Sequence, residues 1–313
     1  MFARLLAVIL PAAMQINPVV IPFGKPPPHP VAAIAPLELA GPTWADTCKD
    51  SGDWTKPAPP VRIHANTYLV GTCGISSILI VGRDGDVLID GGTEQDADLI
   101  AENIRALGYR VQDIRFILTS HEHYDHVGGI AKLQRLSGAT VVTSPAAAKV
   151  LSSGVPSTDD PQFGVVKPFP PTQVGRTVRN GEGVLLGNIM VTAIATPGHT
   201  AGAMSWRWVS CDGGVCRTIV YADSLNPVSN DTYRYSDHQA VVAAFRASIA
   251  KIADSPCEIL LTPHPSASNL PERLALGRPL LDDQACKAYA AGRTKALDDR
   301  LAKEAAPAAP TKP

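Results

Sequence analysis

Three imidazoles and the carboxylate of Asp125 fall close together in Ser120-His121-Glu122-His123-Tyr124-Asp125-His126. Imidazole nitrogen and carboxylate oxygen are zinc ligands, and a catalytic zinc keeps about three protein ligands and an open position for water. In an extended segment His121 and His123 point to the same side. A tight turn then brings Asp125 and His126 to an adjacent point, an arrangement suited to two ions side by side. Two ions need about six ligands, and the cluster offers four. His199, in Thr196-Pro197-Gly198-His199-Thr200, and His264, in Thr262-Pro263-His264-Pro265, each stand at the end of a β-rich run and complete the set. The expected grouping is His121, His123 and His199 on one ion, with Asp125, His126 and His264 on the other. His29 in a Pro-rich arm, His64 at the entry of the first strand and His238 at a helix start are expected in surface or capping roles. Asp90, in Leu88-Ile89-Asp90-Gly91-Gly92, is a candidate acceptor for the second ring nitrogen of a ligand histidine, or a structural residue of the Gly-Gly turn.

The elements that must position these residues alternate in type. β-formers predominate over 67–70, 76–81 and 87–89, with Arg83-Asp84-Gly85-Asp86 as a turn. Helical spacing of apolar residues follows over 94–107, ending at Gly108, and a strand over 115–119 leads into the histidine cluster. A helix is predicted over 130–136 and a strand over 139–143. The stretch 151–173, rich in Ser, Asp and Pro, is longer than most connections and is predicted to border the site. Strands over 185–195, 204–209 and 218–221, a helix over 239–253 and a strand over 258–262 repeat the class of the first half. A closing helix is predicted over 280–303. The alternation indicates an α/β fold.

The chain of 313 residues, 45% of them hydrophobic, can build one large core. Its formal charge of −1, with no block of Lys and Arg, leaves no electrostatic footprint for nucleic acid. Met1 to Met14 carries one early Arg and a short apolar run, the shape of a secretory signal, and the run is too short to span a bilayer. Residues 1–35 are therefore expected to be a signal peptide and Pro-rich leader, followed by an extended arm to about Trp44. One domain is expected over 46–304, with a disordered tail over 305–313. A periplasmic or secreted protein follows, with no membrane span in its mature form. The six cysteines lack a CxxC pair and are expected to form disulfides. Cys211 and Cys216 flank the turn sequence Asp212-Gly213-Gly214-Val215 and fit a hairpin bridge. For the others, sequence order offers Cys48–Cys73 and Cys257–Cys286 among fifteen possible connectivities.

The segment from His121 to His126, the upstream Asp90-Gly91-Gly92, the TPGHT segment at His199 and the closing His264 resemble the metallo-β-lactamase superfamily. That resemblance implies an αβ/βα four-layer sandwich, with two mixed β-sheets face to face and helices outside. Tyr221-Ala222-Asp223-Ser224-Leu225 and the Ser266-Ala267-Ser268 that follows His264 are similar to the third subclass of class B β-lactamases. In that subclass Ser224 stands where other subclasses carry a metal-binding cysteine. The three cysteine pairs above resemble those of some members. Tyr124, Asn226 and Ser266 depart from the usual residues.

The resemblance implies two zinc ions and hydrolysis of β-lactam antibiotics, carbapenems included, by a zinc-bound hydroxide, with Asp125 able to take up a proton. Asp223 is expected behind a ligand, although in glyoxalase-II-like members an aspartate in this context bridges the metals. Ser224, Asn226 and Ser266 are candidates for the substrate carboxylate, and Gln162 for its variable side chain. The protein is expected to act as a monomer on a small molecule. The alternatives are a dizinc lactone or thioester hydrolase on the same fold, and a non-catalytic periplasmic zinc-binding protein.

Overall fold

The computed structural model describes residues 37–49 and 53–306. The expected signal peptide, His29 and residues 307–313 of the expected tail lie outside them.

One sheet orders β1 (Val61–His64), β2 (Thr67–Leu69), β3 (Ile78–Ile80), β4 (Asp86–Ile89), β5 (Ile114–Leu118), β6 (Thr140–Thr143) and β7 (Val174–Thr177) as neighbours in sequence order. It is antiparallel up to β4 and parallel beyond. The second sheet holds β8 (Gly183–Leu186), β9 (Ile189–Ala195), β10 (Met204–Asp212), β11 (Val215–Tyr221) and β12 (Ile259–Leu261), with only β11 and β12 parallel.

Period-two alternation of side chains explains why both faces of these strands are apolar. Ile78, Ile80, Val87, Ile89, Phe116 and Leu118 meet Trp206, Trp208, Ile219, Tyr221, Ile259 and Leu261 between the sheets. Their neighbours Leu79, Leu88, Ile117 and Val141 face outward onto Ile100, Ile104, Ile130, Leu133 and Leu151. Those belong to α2 (Asp96–Ala106), α4 (Ile130–Ser137) and α5 (Pro145–Ser153). Val220 and Leu260 face Phe245, Ile249, Ile252 and Tyr289, on α6 (Gln239–Ala253) and α8 (Ala285–Ala305). Four layers result, helix on sheet on sheet on helix.

The N-terminal arm departs from the sequence expectation. Residues 37–48 form α1 (Leu37–Cys48), which seats the fully buried Trp44 in the inter-sheet core despite Pro42 inside it. It packs on α7 (Leu270–Ala275) so closely that a Cβ on Gly41 would lie 2.6 Å from the Leu274 carbonyl oxygen. Pro42 and the Ala-rich flank hide a helix that tertiary packing supports. The strand predicted over 185–195 is instead a hairpin, β8 and β9, because Gly187 at φ 54° and Asn188 make a two-residue turn. Strand β7 and helix α5 went unpredicted, and the closing helix starts five residues late, at Ala285, and runs through Ala305. Bridges join Cys48–Cys73, Cys211–Cys216 and Cys257–Cys286. Among the described residues no helix is long and apolar enough to cross a membrane.

Candidate metal centre

Strand β5 delivers the cluster. Its exit is held by Trp206, whose indole N–H donates to the Thr119 carbonyl at 2.9 Å, and by Asp90 at the end of β4. Asp90 accepts the Ser120 N–H and hydroxyl, both at 2.6 Å, and the Tyr221 hydroxyl at 2.8 Å. Its own backbone sits at φ 63°, a left-handed conformation that a non-glycine residue rarely keeps without such anchoring. His126 Nδ1 is 3.9 Å from the Asp90 carboxylate, beyond hydrogen-bond reach. Asp90 thus clamps the strand exit, and the expected hydrogen bond to a ligand histidine is not made.

After His123 the chain turns into α3 (Tyr124–Val127), which carries Asp125 and His126. The step from α3 into α4 needs glycine: a Cβ on Gly129 would come within 2.2 Å of the Gly91 carbonyl oxygen. His199 lies on the loop between β9 and β10, and His264 just after β12. The ring centroids of His121, His123 and His199 form a triangle with sides of 4.8 to 4.9 Å. His126 lies 4.2 Å from His121 and 4.9 Å from His264. Asp125 Oδ2 is 3.0 Å from His126 Nε2 and 3.4 Å from His264 Nε2. The six residues expected from the sequence therefore converge.

Hydrogen bonds decide which nitrogen each ring can offer. His121 Nδ1 donates to Asp223 at 2.8 Å, His199 Nδ1 to the Asn226 carbonyl at 2.9 Å, and His264 Nδ1 to the Gly74 carbonyl at 3.2 Å. Each turns its Nε2 inward toward the cluster. His123 is turned the other way, with Nε2 on Asp160 at 3.0 Å and Nδ1 left over. Among the described residues His126 Nδ1 and Asp223 Oδ2 are buried without a hydrogen-bond partner, and His126 Nε2 has only the Asp125 carboxylate beside it, at 3.0 Å and outside hydrogen-bond geometry. Buried nitrogens left without a proton partner in a nest of imidazoles fit a site for a cation. The ligand atoms of His121, His123 and His199 lie within 4.8 Å of one another, as do those of His121, Asp125 and His126.

The electrostatics favour the same reading. Burial and the neighbouring imidazoles push His199 down to about 3 and His264 to about 4, and hold His121 well below its usual range. These rings present lone pairs. Burial opposes charge on His126, but Asp125 outweighs it and raises the ring. Burial opposes charge on Asp125 as well, yet His126, His121 and His264 keep it far below the ordinary carboxylate range. Asp223, fully buried, is pushed up to about 6.

The centre opens into a cleft of about 330 Å³ lined by Ser224, Asn226, Gln162, Tyr124 and Lys167, with Trp54, Val165 and Val228 as an apolar wall. Gln162 Nε2 is 3.5 Å from His199 Nε2. Ser266 is exposed on the turn after His264 and does not line this cleft. His64 ends β1, where its carbonyl accepts from Ser210, and His238 stacks on Tyr233 at 4.3 Å without capping α6. Sequence reasoning missed Asp160 and Glu122. Glu122 stands between His121 and His123, and strand alternation alone would have turned it away from those two rings toward a partner. Asp160 gave no signal beyond its place in the long loop.

The family profile described as the metallo-beta-lactamase superfamily matches residues 70–264, well over half the chain. The MIM-2 metallo-β-lactamase superposes with a TM-score of 0.82 at 49% identity, over 85% of this chain and 99% of that one. MIM-1 from Novosphingobium pentaromativorans gives 0.83 at 48%, over 85% and 99%. MEM-A1, a subclass B3 enzyme isolated from a soil metagenome library, gives 0.79 at 44%, over 81% and 99%. Among curated relatives, the hydroxyacylglutathione hydrolase of Methylobacterium nodulans is 32% identical over 111 residues, 36% of this chain, and the chain spans only 34% of that protein's length. The chain belongs to the metallo-β-lactamase superfamily.

Proposed function

We propose that this protein is an exported β-lactamase that holds two zinc ions, one on His121, His123 and His199 and the other on Asp125, His126 and His264. The observation that carries the reading is the donor set itself. Four of its five histidines have one nitrogen fixed by a protein acceptor and the other turned inward, and the set sits in a chain 44 to 49% identical to B3-type β-lactamases over nearly their full length. Zinc at such a centre supplies Lewis acidity toward a carbonyl and makes water a competent nucleophile near neutral pH.

The chain's own residues do the rest. Ser224 and Asn226 offer a hydroxyl and an amide to the carboxylate that β-lactams carry beside the ring. Gln162 faces the variable side chain, while Trp54, Val165 and Val228 exclude water from it. Asp125, kept charged among imidazoles, can accept a proton as the ring opens, within the limit that ligation sets on its basicity. Asp223 accepts His121 on one oxygen, and in this reading it stands behind that ligand. Three disulfides agree with an oxidising compartment.

The test is hydrolysis of a chromogenic cephalosporin, a carbapenem and a glutathione thioester by the purified protein, with and without chelator, alongside zinc per chain. β-Lactam turnover abolished by chelation and restored by zinc, at two zincs per chain, is expected. Thioester turnover alone would replace the reading with the glyoxalase-II-like one. Zinc binding without turnover of any substrate would leave a zinc-binding protein.

A further inference from the structure

Helix α8 reaches the back of the site through two side chains one turn apart. Tyr289, buried, donates its hydroxyl to the Asp223 carbonyl at 2.7 Å and accepts the Leu225 N–H at 3.2 Å. The guanidinium of Arg293 lies over the Tyr289 ring, 5.2 Å from its centroid, and donates from an Nη to Asn226 Oδ1. The same Asn226 receives His199 on its main-chain carbonyl and lines the cleft.

A guanidinium has donors and no acceptor, so the atom facing Arg293 must be the amide oxygen. The Asn226 amide then has only one orientation open to it. Its Nδ2, which has no hydrogen-bond partner among the described residues, is left as a donor, and Ser224 stands two residues away in the same cleft. Resting on the β-lactamase reading above, we propose that Arg293 is a positioning residue. It locks the Asn226 amide with Nδ2 toward the cleft, making that amide a one-sided donor for the substrate carboxylate. The positive charge behind the amide polarises it in the sense that favours an anion. A serine or threonine at 226 would need no such lock, because a hydroxyl rotates to suit its partner. Asparagine at this position and arginine on the helix behind it form one device.

The experiment compares KM and kcat on a cephalosporin and on its carboxylate methyl ester, with zinc per chain measured for every variant. Asn226→Asp is nearly isosteric and keeps an oxygen for Arg293, but it replaces the donor by a second oxygen. KM for the acid is expected to rise at least about ten-fold, the scale of one charged hydrogen bond, and the ester to change under about two-fold. Arg293→Met is expected to raise KM for the acid by about ten-fold with little change in kcat, and Arg293→Lys to restore most of it. In an Asn226→Ser background, Arg293→Met is expected to have no further effect on KM.

An equal rise with Arg293→Met in both backgrounds would make Arg293 a general support of the fold and overturn the proposal. So would an Asn226→Asp enzyme with unchanged KM for the acid, or a loss of acid selectivity found only in Lys167→Ala. Absence of β-lactam turnover by the wild-type protein would overturn the β-lactamase reading, and this inference with it.

Discussion

The carboxylate of Glu122 accepts the main-chain N–H of Gly202 at 2.9 Å, and so ties the first histidine loop to the second across some eighty residues of sequence. Its other oxygen accepts the Thr200 hydroxyl at 2.7 Å. The loop carrying His199 is thereby fixed relative to His121 and His123. Position 202 must stay glycine for this approach, since a Cβ there would lie 2.5 Å from the Ala147 nitrogen and 2.7 Å from Glu122 Oε2.

Glu122→Ala is expected to lower stability by about 2–4 kcal/mol, because it strands two buried donors. It should also weaken zinc at the three-histidine site, since His199 loses its registration. Glu122→Gln keeps an acceptor for one donor and should fall between. Thermal unfolding with and without zinc measures both effects, and an Ala variant with wild-type melting and zinc retention would remove Glu122 from this role.

Asp160 orients His123 through Nε2 while its other oxygen accepts the Gln162 N–H at 2.7 Å. One side chain thus couples His123 to the loop that carries Gln162. Asp160→Asn is expected to cost about 10–100-fold in zinc affinity, as other changes behind metal-ligating histidines do. Competition with a chromophoric chelator reads this directly. A fall in turnover with unchanged zinc affinity would assign Asp160 to the loop alone.

The convergence of His121, His123, Asp125, His126, His199 and His264 was legible in the sequence because four of them are local, and the other two stand beside turn-forming Pro and Gly at strand ends. The partners that aim those side chains were not. The acceptors of His199 and His264 are main-chain carbonyls of Asn226 and Gly74, which no side-chain pattern can announce. Asp90 carries an evident signal at a strand end, yet its carboxylate is spent on Ser120 and Tyr221. The strands were legible in class because alternation puts apolar residues on both faces. Helix α1 was not, since its formation depends on burying Trp44 in the core and on packing against α7. Arg293 reads in sequence as one more charge on a solvated helix, and only the fold brings it to Asn226.

The bridge Cys257–Cys286 closes a sequence separation of 29 residues and fastens α8 one turn before Tyr289. Replacing both cysteines by serine is expected to lower stability by about 2–4 kcal/mol. Because Tyr289 and Arg293 hold 223–226 from behind, KM for a carboxylate-bearing substrate should rise in the same variant before the fold is lost. Calorimetry and steady-state kinetics at matched temperature test the pair of effects. A stability loss without any change in KM would show that the helix holds its place through packing alone.

At the far end of α8, Glu304 receives the N–H groups of Tyr235 and Ser236 at 3.1 and 2.8 Å and the guanidinium of Arg300. Burial works against its charge, but these donors prevail and the carboxyl falls to about 2 from 4.5. Since the folded value is the lower one, the charged form contributes stability at every pH above about 4.5. That contribution fades as pH falls from 4.5 toward 2, where the folded state must also take up the proton. Its size is on the order of 2 kcal/mol after allowance for solvent near the helix end. Glu304→Gln is therefore expected to be less stable than wild type at pH 7 and to show a shallower loss of stability between pH 4.5 and 2. Arg300 also donates to the Ser229 hydroxyl and the Tyr233 carbonyl, so the loop that leaves Asn226 should loosen with it. Urea denaturation at a series of pH values decides the matter: parallel curves for variant and wild type would mean that Glu304 titrates alike in the folded and unfolded chain.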